Sequence, residues 1–186
     1  EHIRYKQVGH LLPALGGVQS LPYVIAHDTF AKLGQPKIIK TYTYSDRNYL
    51  GHGVPLDPTD DGDPLYRAPG SYQYSSTERL VVGGKLHTQT QRTYNKFHLL
   101  ISEVTTCNEA VASAGTEYHC DVARPFTEQD AQFRLPKSQT VSYENSTTGK
   151  KRPETFITEF DSAVILVRQV GVDGVTSLFE YYPDTE

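Results

Sequence analysis

Paired glycines between two extended runs are the feature that most constrains the fold of this chain. The segment ERLVVGGKLHTQTQ, residues 78–91, holds Gly83 and Gly84 between runs of strand-forming residues. A two-residue hairpin turn needs positive φ angles, which glycine adopts without steric cost. The segment therefore predicts an antiparallel β-hairpin that turns at these two glycines.

Further strand-like segments follow along most of the chain. Residues 37–44, KIIKTYTY, interleave β-branched and aromatic residues with polar ones, as expected of a half-buried strand. Residues 93–107 carry apolar side chains on both faces and predict a central or covered strand. Asp173 and Gly174 predict a second hairpin turn. The remaining predictions are a small-residue link over 108–115 and strands at 116–123, 138–144, 154–170 with a bend near Asp161 and Ser162, and 174–182.

Helical patterns are scarce. Asp28 as N-cap and Gly34 as C-terminal stop predict a short helix in residues 27–34, and Thr127 predicts another within 125–136. The chain is thus predicted to be all-β, as an antiparallel β-barrel or a β-sandwich with one or two short helices. The barrel alternative resembles the lipocalins in architecture, but their Gly-x-Trp signature is missing because the chain has no tryptophan.

Size and charge limit the organisation and the partners. A chain of 186 residues predicts one β domain over 1–186, with a loop-rich segment 1–36 packed on the barrel or sandwich. A net charge of −4, from 18 basic and 22 acidic residues, provides no basic stripe to neutralise phosphates, so nucleic acid is excluded as a partner. No apolar run approaches the roughly 20 residues needed to cross a bilayer, which excludes membrane insertion.

Three features predict an extracellular protein. The chain begins at Glu1 and contains no methionine, which is typical of a mature product whose leader has been removed. Cys107 and Cys120 form an even pair and predict a disulfide between adjacent strands. Two buried free thiols in a cytosolic protein are the alternative. Asn145 begins an Asn-Ser-Thr acceptor for N-glycosylation in a polar segment, so a secreted glycoprotein is predicted.

An acidic stretch between two prolines is the best candidate for a metal site. In VPLDPTDDGDPLY, residues 54–66, Asp57, Asp61 and Asp63 surround one glycine, as in a calcium loop. The twelfth position counted from Asp57 is Ala68, which has no carboxylate to complete the ligand shell. The stretch predicts either a weak Ca²⁺ site or a solvated turn, and no other cofactor is expected.

Catalytic motifs are also scarce. The seven histidines include no pair with the i, i+4 spacing of a zinc-binding helix, and the chain has no G-x-S-x-G motif. His87 and His119 would approach one another beside Asp121 if their strands paired, which is the basis of a hydrolase-type alternative. Otherwise the chain is predicted not to be an enzyme.

Tyrosine is unusually frequent, with 13 tyrosines against 7 phenylalanines and no tryptophan, although strands favour tyrosine in any case. Tyr42 and Tyr44 alternate in one segment, and Tyr72 and Tyr74 in another, so each pair is predicted to share a face. Inside a barrel, these rings predict a secreted binding protein that carries a small hydrophobic or pigment-like ligand. On the outside, they predict a structural or interaction subunit of an extracellular assembly, such as an egg fluid, a coat or a capsule, with like subunits in a homo- or hetero-oligomer.

Overall fold

A computed structural model describes residues 1–6, 11–12, 19–20, 22–30, 32–45, 64–145, 147–161, 163 and 165–181. These residues form β-strands almost throughout. The strands are β1 (His2–Lys6), β2 (Leu11–Leu12), β3 (Gln19–Ser20), β4 (Tyr23–Thr29), β5 (Ile38–Tyr44), β6 (Gln73–Val82), β7 (Lys85–Asn95), β8 (Leu100–Cys107), β9 (Ala110–Tyr118), β10 (Pro136–Asn145), β11 (Lys151–Phe160), β12 (Leu166–Val170) and β13 (Thr176–Leu178). In the same residues, no helix has the length and apolarity that crossing a bilayer requires.

Most of the strands form one large antiparallel sheet. In the described residues it has 11 strands in the order β1-β4-β5-β6-β7-β8-β9-β10-β11-β12-β13, and β2 pairs with β3 separately. The predicted all-β antiparallel class is confirmed. The sheet is not closed into a barrel, because β1 and β13 form its two edges. Closure needs a strand tilt and stagger that bring the last strand beside the first, and this sheet has no such pairing.

Two of the predicted hairpins are confirmed, and both depend on glycine. Gly83 and Gly84 have φ angles of 57° and 81° between β6 and β7. Gly174, with φ 79°, follows Asp173 between β12 and β13. The Asp173 carboxylate accepts a hydrogen bond of 3.0 Å from the backbone N–H of Val175 and stabilises this second turn.

The prediction of one strand over residues 93–107 is wrong, because a tight turn divides it. β7 ends at Asn95, and β8 begins at Leu100. The Asn95 side-chain oxygen accepts hydrogen bonds from the backbone N–H groups of Phe97 (3.0 Å) and Leu99 (3.1 Å). His98 adopts a φ of 63°. The Asn95 side chain thus accepts hydrogen bonds from backbone N–H groups that would pair with a neighbouring strand if the strand continued.

Two neighbouring predictions are corrected for related reasons. The small-residue link predicted over 108–115 is mostly β9, since the turn needs only Asn108, at φ 51°, and Glu109. The bend predicted near Asp161 is a full reversal of the chain. The Asp161 carboxylate accepts hydrogen bonds from two backbone N–H groups of the turn, and β12 then returns antiparallel to β11.

The predicted helices are largely replaced by other structure. Asp28 is no N-cap but a residue of β4, paired with Ile39 of β5. Within residues 125–136, Phe126–Glu128 form a single 3-10 turn that contains Thr127. Strand pairing thus outweighs the local capping signal at Asp28.

Cys107 and Cys120 are free thiols, so the predicted disulfide is corrected. Cys107 ends β8, whereas Cys120 lies beyond the far end of β9. At about 3.3 Å per residue, β9 separates the two cysteines by roughly 30 Å, far more than a disulfide can span. Burial raises the pKa of the Cys120 thiol.

Among the described residues, an apolar cluster lies at the end of the sheet near the β7–β8 turn. Leu65, Tyr74 and Phe97 are buried there. Tyr66 stacks on Phe126 with ring centroids 4.7 Å apart. These residues come from the 3-10 turn at Pro64–Arg67, from β6, from the β7–β8 turn and from the loop after β9. Packing is therefore concentrated at this end of the sheet.

Candidate functional site

Several tyrosines project from one face of the large sheet. Residues that lie directly opposite each other on paired strands share a face. One such row runs from Tyr42 on β5 to Tyr143 on β10 through Glu78, Thr90, Thr105 and Ala112. By alternation along β5 and β6, the same face carries Tyr44 and Tyr74, and Tyr74 lies opposite Tyr94. We call this surface the tyrosine face and define it by Tyr42, Tyr44, Tyr74, Tyr94 and Tyr143.

Over β8 and β9 the tyrosine face has no covering layer in the described part of the chain, whereas Tyr74, at the β7–β8 end of the face, is 3% exposed and packs in the apolar cluster there. All residues of β8 and β9 are at least partly exposed, whereas a covered sheet face buries every second residue. Among the described elements, all extensive contacts join hydrogen-bonded neighbours in the same sheet. The centre of the sheet is therefore one layer thick in these residues.

Four charged side chains form a ladder across the middle of this face. Lys40 on β5 lies 3.1 Å from Glu78 on β6, and Arg92 on β7 lies 3.5 Å from Glu78. Arg92 also donates a hydrogen bond of 2.6 Å to Glu103 on β8. We call these residues the charge ladder; their signs alternate from strand to strand.

The charge ladder is partly buried, and its ion pairs favour the charged form of Arg92. Burial opposes the charge of Arg92, but its hydrogen bond to Glu103 and the charges of Glu103 and Glu78 outweigh that effect and raise the pKa of Arg92. Glu78 retains 24% side-chain exposure and Arg92 32%, so both remain accessible to a partner. Each charge is already paired within the sheet.

The predicted ligand-binding tyrosines are only partly brought together. Tyr42, Tyr44 and Tyr74 share the tyrosine face, whereas Tyr72 precedes β6 and lies outside the strands. Tyr74 stacks on Tyr94 with ring centroids 5.0 Å apart, and Tyr44 donates a hydrogen bond of 3.2 Å to the Val24 carbonyl. These contacts orient the rings. Ligand binding by the four tyrosines stays a prediction.

A groove of about 410 Å³ lies beside the far end of the tyrosine face. Ala110 and Ala112 line it together with the larger side chains of Tyr143 and Arg152. Asn145, the predicted glycosylation site, lies at the same end of β10 and is exposed. Its side-chain oxygen accepts backbone hydrogen bonds within the β10–β11 turn.

The structure supports neither a metal site nor a histidine pair in the part it describes. The calcium candidates Asp57, Asp61 and Asp63 lie outside the described residues. Within those residues, no cluster of three or more histidine, cysteine or acidic side chains could hold a metal ion. His87 lies beside the β8–β9 turn, while His119 follows the opposite end of β9. The strand separates them by roughly 30 Å, so the pairing proposed for a hydrolase is corrected.

Comparison with known proteins gives no family for this chain. No protein-family model matches it, and no curated protein matches its sequence significantly.

Sequence reasoning missed the charge ladder. Its members are scattered over residues 40–103, and their contacts join neighbouring strands. Diagonal contacts such as Lys40 with Glu78 depend on the register of the strands, which local patterns do not supply. The available signal in β7 was Arg92 among threonine and glutamine residues, which gives no indication of its partners on β6 and β8.

Proposed function

We propose that this protein is a structural subunit of an extracellular assembly that associates with a second copy of itself through the tyrosine face. The observation that carries the proposal is a sheet face that the described residues leave uncovered at its centre, with a charge order that is complementary to its own reverse. The argument has three steps, which concern the area, the charge order and the composition of the face.

The area of the face suits a stable dimer. Seven neighbouring strands about 4.8 Å apart, each about eight residues of 3.3 Å, present roughly 900 Å². Specific protein interfaces bury about 800 Å² on each partner. A single face of this sheet is therefore large enough without any further contact.

The charge order favours a second copy of the same chain. From Lys40 to Glu103 the charge ladder reads plus, minus, plus, minus. In a face-to-face dimer the two-fold axis lies in the interface plane. If this axis is perpendicular to the ladder, Lys40 of one copy faces Glu103 of the other, and Glu78 faces Arg92. Every cross-dimer pair is then attractive.

The composition of the face fits an interface. Tyrosine and arginine are enriched where proteins meet, and rigid tyrosine rings bury much area at little entropic cost. Burying the charge ladder costs desolvation energy, which its internal ion pairs and the cross-dimer pairs offset. In this proposal the charge ladder sets the orientation of the two copies, and the tyrosine rings provide most of the affinity.

The extracellular location is part of the proposal. Asn145 ends β10 at an exposed turn, on the same face as Tyr143 but at its margin, where an acceptor site is accessible. The free cysteines provide no support for an oxidising compartment, so the location depends chiefly on this acceptor site.

The test is sedimentation equilibrium of the wild-type chain and of Glu78→Lys over a wide concentration range. We expect the wild type to be dimeric at roughly 100 µM, since interfaces of this size reach micromolar affinity or better. Glu78→Lys changes the ladder to plus, plus, plus, minus, which places like charges opposite each other twice. Its dimer should dissociate at least about tenfold more readily. Lys32→Glu, an exposed charge reversal in a turn, serves as the control.

A fourfold reversal tests the symmetry itself. Lys40→Glu, Glu78→Lys, Arg92→Glu and Glu103→Arg together keep an alternating ladder within each chain. We expect this variant to dimerise with itself but not with the wild type, because in a mixed dimer every facing pair has the same sign. A monomeric wild type, or free mixing of the two chains, would contradict the proposal.

Carriage of a small apolar ligand is a second candidate, supported by the groove beside Ala110, Ala112 and Tyr143. Its volume of about 410 Å³ suits a small molecule. Native mass spectrometry of protein from its source distinguishes the two functions. A small-molecule mass that is lost on denaturation supports carriage, whereas a clean dimer mass supports assembly.

A further inference from the structure

A second cavity lies outside the tyrosine face, at the end of the sheet near the β7–β8 turn. Its volume is about 460 Å³, within the range of small-molecule sites. Its walls include the rings of Tyr66 and Phe126, the side chains of Arg67 and Lys96, and Gly70. We call it the aromatic cleft. No residue that lines it was a candidate in the sequence.

One wall of the aromatic cleft contains packed aromatic rings. Tyr66 and Phe126 stack at 4.7 Å with an angle of 21° between their planes, and Phe97 packs behind them. Gly70 approaches the opposite loop so closely that a Cβ atom there would lie 2.8 Å from the carbonyl oxygen of Val122. The two segments therefore meet at a fixed distance, and the stacked rings provide a surface for another planar group.

Lys96 is a buried cation in this wall without a buried anion beside it. The residue is only 5% exposed. Its ammonium donates to the Arg124 carbonyl at 3.4 Å and lies 4.9 Å from the Phe97 ring centroid. An ammonium has three donors, and in the described part of the chain neither of the other two has a protein acceptor. Buried charges are normally paired, and among the described residues this ammonium has no carboxylate partner.

The charges of the residues that line the cleft also favour a bound anion. Lys96 and Arg67 both line the aromatic cleft, and among the described residues no aspartate or glutamate does. A negatively charged group in the cleft would lie beside the Lys96 ammonium, and no carboxylate of the described lining would repel it. A carboxylate would also form charge-assisted hydrogen bonds with the Lys96 ammonium, which are stronger than neutral ones.

We propose that the aromatic cleft binds a small planar organic anion, with its ring against Tyr66 and Phe126 and its carboxylate on Lys96. The inference is independent of dimer formation. It concerns a different part of the molecule and does not need the charge ladder.

The test is isothermal titration with a matched pair of probes, 1-naphthoate and 1-naphthalenemethanol. These share one ring system and differ in charge. We expect 1-naphthoate to bind with a stoichiometry of one per chain and at least tenfold more tightly than the alcohol. Inorganic phosphate, an anion without a ring, should bind at least tenfold more weakly than 1-naphthoate. Equal binding of the two naphthalene probes, or of phosphate and 1-naphthoate, would overturn the proposal.

A variant pair assigns the effect to Lys96. Lys96→Met keeps the length of the side chain and removes the charge, so the preference for 1-naphthoate over the alcohol should disappear. Lys85→Met changes an exposed lysine at the start of β7, whereas Lys96 follows the other end of that strand. This variant should leave the preference for 1-naphthoate intact. An unchanged preference in Lys96→Met, with its fold verified by thermal unfolding, would show that another cation binds the anion and overturn the assignment.

A measurement on the unmodified protein covers the case in which Lys96→Met fails to fold. Titration of 1-naphthoate into ¹⁵N-labelled protein should shift the backbone amide signals of Ala123 and Thr127, which line the cleft. The amides of Thr105 and Val111, which line the groove at the other end of the sheet, should not move. Shifts confined to the groove, or no shifts at millimolar probe, would contradict the inference.

Discussion

At Asp28 a single carboxylate joins three parts of the N-terminal region. The residue is 4% exposed on β4. Lys37, just before β5, lies 2.8 Å from one carboxylate oxygen, and Arg4 on β1 lies 3.7 Å from the other. The hydrogen bond from Lys37 lowers the pKa of Asp28 below its ordinary value of 3.8; burial opposes this shift, and the charges of Lys37 and Arg4 add to it. The same residue was predicted to be a helix cap, a role that its position in a paired strand excludes.

The lowered pKa of Asp28 predicts that the folded protein loses stability in acid. Below pH 3.8 the unfolded chain binds a proton at this residue that the folded chain still excludes. The contribution of Asp28 is therefore complete above that pH and is lost as the pH falls through the folded pKa. Urea unfolding between pH 7 and pH 2 should show a smaller loss of stability for Asp28→Asn than for the wild type over the acidic part of the range.

The control for this measurement is Asp130→Asn, an exposed carboxylate with no ion pair among the described residues. Its stability should follow the pH profile of the wild type. If Asp28→Asn does so as well, the ion pairs of Asp28 contribute nothing to folding.

At the scale of the element, the turn that begins at Asn95 divides a long extended segment into two strands, β7 and β8. Asn95 is 4% exposed, and its side chain accepts two backbone hydrogen bonds within the turn. Asn145 accepts two comparable bonds in the exposed β10–β11 turn. The two asparagines form similar motifs and differ mainly in burial.

Asn95→Ala should therefore cost more stability than Asn145→Ala. Leaving two buried N–H groups without acceptors costs about 2–4 kcal/mol, whereas water replaces the lost bonds at the exposed turn for less than about 1 kcal/mol. Urea unfolding of both variants, made without glycosylation, measures the difference. Equal losses would mean that burial of the Asn95 turn has no energetic consequence.

At the scale of the whole molecule, the sheet is wide, open and one layer thick at its centre in the described residues. A β-sheet normally buries at least one face against a second layer. In the proposed dimer the second copy provides that layer, so dimerisation and folding stability are linked. The same argument explains why, among the described residues, few side chains are buried away from the apolar cluster at one end of the sheet.

This linkage predicts a melting temperature that depends on protein concentration. If the native dimer unfolds to separate chains, each tenfold rise in concentration should raise the melting temperature of the wild type by roughly 2 °C. Calorimetry over a hundredfold range of concentration measures the trend. Glu78→Lys should melt at a lower temperature than the wild type at each concentration, because its dimer dissociates more readily, and a wild type whose melting temperature does not change with concentration would count against the dimer.

Local backbone geometry made parts of the fold predictable. Gly83, Gly84 and Gly174 have the positive φ angles that their turns require, and glycine is the residue type that adopts such angles without steric cost. The β5 and β6–β7 strands followed from side-chain alternation for the same reason. The Asn95 turn was missed because the capping asparagine stands within an apolar run that also suits a continuous strand.

What the sequence determined by itself is the all-β class and two of the hairpins, since each depends on neighbouring residues. Only the tertiary structure decided that the sheet stays open, that Cys107 and Cys120 lie far apart, and that Lys40, Glu78, Arg92 and Glu103 meet. These features depend on the register and direction of strands that are distant in the chain. Register is a property of the paired strands together, and no single segment contains it.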